Sequence, residues 1–156
     1  MMMRKVVSLL FIVLTSLYAF DSIAKTAKID DSKDVSECIK KYKNENIECL
    51  DEVLHNSEEQ LNKAYLAKLN KIKKTSPDEW WMGDEQQKKE AIDSFMANQK
   101  KWIEYRDSFC GVALWSYQNS DHLGEAQTSC EINMNNRRLE EISLIQIPSE
   151  TQSESP

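Results

Sequence analysis

Gln99, Trp102, Arg106 and Cys110 lie at i, i+3, i+7 and i+11, which places all four on one stripe of a helix. A stripe that faces a core should be apolar, yet this one carries an amide and a guanidinium. Such groups are buried only where their donors and acceptors find partners. The expectation is a core seam in which Gln99 and Arg106 bond buried backbone at helix ends, with Arg106 lying on Trp102 as a cation–π pair. A ligand site on the same stripe is the competing reading.

The other chemistry-bearing residues form no catalytic pattern. His55 and His122 are the only 2 histidines, and neither is read as having a Cys or carboxylate partner at metal-ligand spacing. No Gly-x-Ser-x-Gly, His-Glu-x-x-His or Cys-x-x-Cys occurs. Glu140-Glu141 and Asp78-Glu79 are adjacent in sequence and read as solvated charge, not as a glycosidase pair. With 3 Gly, most glycine-rich phosphate cradles are excluded. The expectation is therefore a chain without enzymatic activity, metal or cofactor. Its formal net charge of −6 argues against nucleic acid as a partner. Trp80-Trp81-Met82 is the one exposed apolar candidate. It would either cap the end of a hairpin or anchor a partner, since Trp is enriched at binding hot spots. Lys40-Lys41-Lys43 and Lys71-Lys73-Lys74 read as solvated helix faces.

Helices must position these residues. Between Lys25 and Ile145 the only proline is Pro77, which suits long helices and not a turn-rich β-protein. Leu50, Leu54, Leu61, Tyr65, Leu69 and Ile72 recur at helical steps and predict an amphipathic helix from about Asn46 to Lys74. Ser76-Pro77-Asp78-Glu79 starts a short helical turn that Gly83 ends. A second long helix is predicted over Asp84–Tyr117, with Ile92, Phe95, Met96, Gln99, Trp102, Ile103, Arg106, Phe109, Cys110, Ala113 and Leu114 inward. Asn119–Gly124 reads as a polar loop. A last helix follows over Glu125–Leu144, with Ile132, Leu139, Ile142 and Ile145 inward, and a short helix over Asp34–Tyr42 precedes the rest. Each long helix would be on the order of 45 Å. Two such helices joined by a short connection pack antiparallel. The predicted fold is all-α: an elongated antiparallel helical hairpin, partly covered by a third C-terminal helix and a short N-terminal one.

At the N-terminus, Met1-Met2-Met3-Arg4-Lys5 precedes an apolar run from Val6 to Phe20, and Ser22-Ile23-Ala24 supplies small residues for cleavage. The run is shorter than the roughly 20 residues that span a bilayer, so residues 1–24 read as a signal peptide and no membrane span is expected in the mature form. Cleavage would remove Arg4, Lys5 and Asp21, leaving 132 residues with 18 basic and 25 acidic side chains, a net charge of −7. The expected location is periplasmic or secreted. Residues 146–156 read as a disordered tail and Lys25–Ser32 as loose. An even number of cysteines in an exported chain implies disulfides, and Cys38, Cys49, Cys110 and Cys130 allow three connectivities. In an antiparallel pair of helices Cys110 and Cys130 fall at similar heights, which favours Cys110–Cys130 and leaves Cys38–Cys49.

The segment from Asn98 to Cys110, Asn-Gln-Lys-Lys-Trp-Ile-Glu-Tyr-Arg-Asp-Ser-Phe-Cys, resembles the signature of the LprI family of lysozyme inhibitors. Leu61-Asn62-Lys63-Ala64-Tyr65 is similar to the family's Leu-Asn-x-x-Tyr in the preceding helix. Cys130, Arg138 and Ile142 are similar to its closing pattern, and Cys38 and Cys49 to an N-terminal pair in many members. The likeness runs from about Cys38 to Ile145, within a helical domain of residues 25–145. It implies an inhibitor-like protein in which Leu61, Asn62, Tyr65, Gln99, Trp102, Arg106 and Arg138 hold the fold. Asn135 stands where the family usually has Thr, and Trp80-Trp81-Met82 lies outside the shared pattern.

Two functions follow as expectations. In the first, the chain binds and blocks a peptidoglycan-cleaving enzyme. Its negative charge would steer it toward a basic lysozyme. A loop pinned by Cys110–Cys130 would present Asn119, Ser120, Asp121 and His122 to the cleft. In the second, the chain is an envelope adaptor or immunity-type binding protein that makes contact through Trp80 and Trp81. Either way the partner is a protein.

Overall fold

The computed structural model describes residues 28–148. The expected signal peptide of residues 1–24 and the tail beyond Pro148 lie outside the described residues. Four α-helices make up the described chain: α1 (Lys33–Tyr42), α2 (Ile47–Lys74), α3 (Glu85–Ala113) and α4 (Leu123–Leu144). Single 3₁₀ turns occupy Pro77–Glu79 and Trp115–Tyr117, and no strand occurs among the described residues.

Local chemistry sets several of these boundaries. Ser32 Oγ accepts from the Val35 N–H at 3.3 Å and starts α1. Asp84 Oδ1 accepts from the Gln87 N–H at 2.7 Å and starts α3. Ahead of the first 3₁₀ turn, the Ser76 N–H donates to Glu79 Oε1 at 3.1 Å, the return half of a capping box. Gly83, at φ 64°, supplies the left-handed residue that redirects the chain into α3. Two predicted boundaries shift. The helix expected to reach Tyr117 ends at Ala113, where the backbone tightens into the 3₁₀ turn. The last helix begins at Leu123, so Leu123 and Gly124 are helical, not loop.

Contacts along the helices define their directions. Glu58 meets Arg106 and Tyr65 stacks on Phe95, so α2 and α3 run antiparallel. Cys110 meets Cys130 and Gln99 meets Arg138, so α4 is antiparallel to α3. It therefore runs parallel to α2, as the pairs Asn46–Glu125, Ser57–Asn135 and Lys68–Ile145 show. The expected hairpin is present, but α4 is a full third member of the bundle, not a partial cover. It buries nine side chains, from Ala126 to Ile142. Ile132 and Ile142 are among them as predicted, while Thr128, Ser129, Asn135 and Arg138 are buried without an apolar signal. Because α4 covers one side of the α2–α3 pair, the opposite side stays open. Met96 and Ile103, predicted inward, are 46% and 40% exposed there, and Ala113 is also exposed.

Both disulfides form as favoured, Cys38–Cys49 with Cα atoms 5.7 Å apart and Cys110–Cys130 at 5.8 Å. Cys38 joins Val35, Leu50 and Ile132 in a small core under α1. The main core gathers Leu61, Trp102, Leu114, Met134 and Ile142 about the second disulfide.

Both ends of the described chain depart from expectation. Lys28–Ser32 is held, not loose: the Asn133 side-chain amide donates to the carbonyls of Ile29 and Asp31, each at 3.0 Å, and Tyr117 Oη donates to Asp30. Ile147, placed in the tail by sequence, is 4% exposed and packs with Leu69, Ile72 and Phe95. No helix among the described residues is long and apolar enough to cross a membrane.

Candidate functional site

The mixed stripe of α3 is buried. Gln99 is 7%, Trp102 8% and Arg106 8% exposed, and Cys110 is sealed. Their partners are side chains, not the helix-end carbonyls expected. Arg106 Nη1 donates to Asn135 Oδ1 at 2.9 Å and faces Glu58 at 3.4 Å; its Nε and Nη2 face Asp107 at 2.9 and 2.8 Å. Asn135, fully buried, passes the contact on by donating from Nδ2 to Ser57 Oγ at 3.1 Å. Half a bundle away, Arg138 Nε donates to Gln99 Oε1 at 2.9 Å, while its Nη groups reach Glu141 and Asn98. The two guanidiniums flank Trp102, with Arg106 Cζ 5.9 Å and Arg138 Cζ 5.6 Å from its ring. Each helix of the bundle contributes to this network, so it fixes their register (Ser57 from α2, Arg106 from α3, Asn135 from α4).

Sequence reading missed Asn135 as the hub, because a lone Asn carries no periodic signal. Its place in the family pattern and its position four residues before the partly buried Leu139 were the hints. Of the remaining family-pattern residues, Leu61 is buried, Tyr65 half-buried against Phe95, and Asn62 exposed. Glu58, Leu61, Asn62, Tyr65, Gln99, Ile103 and Arg106 line an open pocket of about 310 Å³ on the uncovered α2–α3 face.

At one end of the bundle, Asn119–His122 forms a braced turn. Ser120 Oγ accepts from the His122 N–H at 3.1 Å, and His122 Nδ1 lies 2.7 Å from Glu125 Oε2. Both histidines thus pair with a carboxylate one helical turn on, His55 with Glu59 at 3.6 Å, contrary to the sequence reading. Asn46 of the α1–α2 turn donates to the other Glu125 oxygen at 2.6 Å, tying the turn to α2. Asn119, Asp121 and His122 face solvent, and Ser120 is half-buried. A pocket of about 240 Å³ beside the turn is lined by Asp30, Tyr117, His122 and Glu125 among others. There the Tyr117 hydroxyl, donating at 2.5 Å, holds the Asp30 carboxyl below its usual range, and Asp30 in turn raises the phenol. Trp115, 70% exposed, stands at the base of the turn. Sequence had folded it into the helix, though it sits one residue off the inward Leu114.

At the other end, Trp80, Trp81 and Met82 divide their roles. Trp80 packs on the Leu69–Ile72–Phe95 cluster, where its Nε1 is buried with no acceptor. Trp81 is 90% and Met82 65% exposed. The capping expected of this segment thus falls to Trp80, while Trp81 and Met82 leave apolar surface exposed. The 29 residues of α3 separate the two ends by about 43 Å.

Among the described residues no group of three His, Cys, Asp or Glu side chains could hold a metal ion. No curated protein and no solved structure matches the chain. The family described as lysozyme inhibitor LprI matches residues 38–142, spanning both disulfides, the Arg106–Asn135 network and the Asn119–His122 turn. The chain belongs to the LprI lysozyme inhibitor family.

Proposed function

We propose that the chain is an exported protein that binds and blocks a peptidoglycan-cleaving enzyme. The observation that carries this reading is the family match over residues 38–142. Two disulfides suit an oxidising compartment outside the cytoplasm. The chain acts by occupation in this reading, so it does no chemistry of its own and needs no cofactor. Its inhibitory element is the Asn119–His122 turn. The Cys110–Cys130 bridge, the His122–Glu125 contact and the Asn46–Glu125 bond all brace that turn, so little ordering entropy is lost when it enters a cleft. Its small polar side chains suit a sugar-binding cleft, and exposed Trp115 beside it supplies apolar contact area. The mature net charge of −7 favours encounter with a basic enzyme.

A cell-wall lysis assay with several lysozyme types tests the proposal. Wild-type protein should slow lysis by at least one type, and His122→Ala with Asp121→Ala should relieve that effect without unfolding. Trp81, 90% exposed at the opposite end, supports a second reading, an envelope adaptor or immunity-type protein. Retention of a periplasmic protein that is lost with Trp81→Ala, together with no effect on any lysozyme, would favour the adaptor.

A further inference from the structure

The pocket on the uncovered α2–α3 face has an unused donor. Gln99 is 7% exposed and its Oε1 is occupied by Arg138 Nε. Its Nε2 has no acceptor in the protein, yet it is not sealed: Trp80 Nε1 is the only buried, unpartnered side-chain nitrogen or oxygen among the described residues. Gln99 lines this pocket, which is the opening from which those donors would be reached. Asn62 lines the same pocket, exposed and with no side-chain partner in the fold. Leu61, Tyr65 and Ile103 form the apolar wall.

The charges select the ligand. Glu58 and Arg106 are the two ionised lining groups, and they face each other at 3.4 Å. Asp107 also holds Arg106, at 2.8 Å. An anion would have to displace Glu58 from a guanidinium already facing two carboxylates, and a cation would meet the Gln99 donor and Arg106. A neutral ligand fits both constraints. It must accept from Gln99, offer a donor to Asn62 Oδ1, and place a small apolar group on the wall. A secondary amide bearing a methyl group satisfies all three. The volume of about 310 Å³ is at the small end of ligand sites and holds one such unit.

We propose that this pocket binds a neutral acetamido group, CH₃–CO–NH–R, with the carbonyl on Gln99 Nε2 and the methyl against Leu61 and Ile103. The group could be carried by an N-acetylated sugar or by a peptide backbone. This site lies on a different face from the Asn119–His122 turn and does not rest on the inhibitor reading.

Amide-resolved NMR titration of the full mature protein tests it. N-acetylglucosamine represents the sugar source and N-acetylalanine methylamide the peptide source, with glucose and acetate as controls. At least one acetamido ligand should shift residues 58–65 and 99–106, with an affinity on the order of millimolar for so small a molecule. Which one binds more tightly identifies the source. Gln99→Glu keeps an oxygen for Arg138 but loses the donor, and should weaken binding about tenfold. Asn62→Leu, at an exposed position, should weaken it similarly and decides the matter if Gln99→Glu unfolds. The proposal is overturned if neither acetamido ligand binds, if glucose or acetate binds equally, or if the folded variants bind like wild type. Lysis inhibition is read separately, so its presence or absence bears only on the inhibitor reading.

Discussion

Arg106→Met tests whether the polar stripe is structural. The substitution keeps most of the side-chain volume and removes the guanidinium. Its largest consequence falls on Asn135, which is fully buried and loses the donor to Oδ1 at 2.9 Å. An unsatisfied buried acceptor costs about 1–3 kcal/mol. The Glu58 and Asp107 side chains are 47% and 57% exposed, so losing those ion pairs adds only about 0.2–1 kcal/mol each. Methionine retains a sulfur–aromatic contact with Trp102, which offsets much of the lost cation–π attraction. Relief of guanidinium desolvation works in the opposite direction. The net expectation is about 2 kcal/mol of destabilisation. For a domain of this size that lowers Tm by roughly 5–10 °C. Asn135→Leu should also destabilise, because Arg106 and Ser57 Oγ each lose a buried partner. The double variant removes both partners of the Arg106–Asn135 bond and should recover about 1–2 kcal/mol relative to the sum of the singles. Urea unfolding followed by circular dichroism measures all four proteins. A coupling within about 0.3 kcal/mol of zero, or an unchanged Arg106→Met midpoint, would refute the structural assignment.

Cys110→Ala with Cys130→Ala opens a loop closed across 20 residues and should cost about 3 kcal/mol in urea unfolding; the Cys38–Cys49 pair, 11 residues apart, should cost slightly less. Asp30 has a lowered folded pKa, so the stability from its bond to Tyr117 is present above its ordinary pKa near 4 and is lost as pH falls through the folded value. Tyr117 has a raised one, so its contribution is present below about pH 10 and is lost above that. Tyr117→Phe should flatten both limbs of a Tm-against-pH curve, and an unchanged curve would mean that this bond is not made in solution. Ile147→Ser should destabilise by about 2 kcal/mol, since it removes a 4%-exposed side chain from the Leu69–Phe95 cluster; an unchanged urea midpoint would show that residue 147 does not dock.

Helical periodicity made most of the elements legible. The recurrence of Leu50, Leu61, Leu69 and Ile72 placed α2, and a single proline between Lys25 and Ile145 excluded a turn-rich fold. Local caps were equally readable, because Ser76 and Glu79 act on residues within one turn. Helix direction favoured Cys110–Cys130 among three connectivities, and Cys38–Cys49 was the pair left over. The buried stripe Gln99, Trp102, Arg106 and Cys110 and the Arg106–Trp102 contact were legible from type and spacing, but the hydrogen-bond partners of Gln99 and Arg106 were not. A buried Arg needs acceptors, and sequence near it suggests only helix ends, whereas the acceptor used by Arg106 is 29 residues away on another helix. Tertiary packing decided that Asn135 faces inward, because polar side chains leave no hydrophobic period to read; the resemblance marked Arg138 as structural, but its partners on α3 appear only in the fold. It also decided that Ile147 docks and that Lys28–Ser32 is tied down, since each depends on a surface that other helices assemble. The open α2–α3 pocket is of the same kind. Met96 and Ile103 keep an inward-looking spacing in the chain, and they stay exposed because α4 covers the hairpin from one side only.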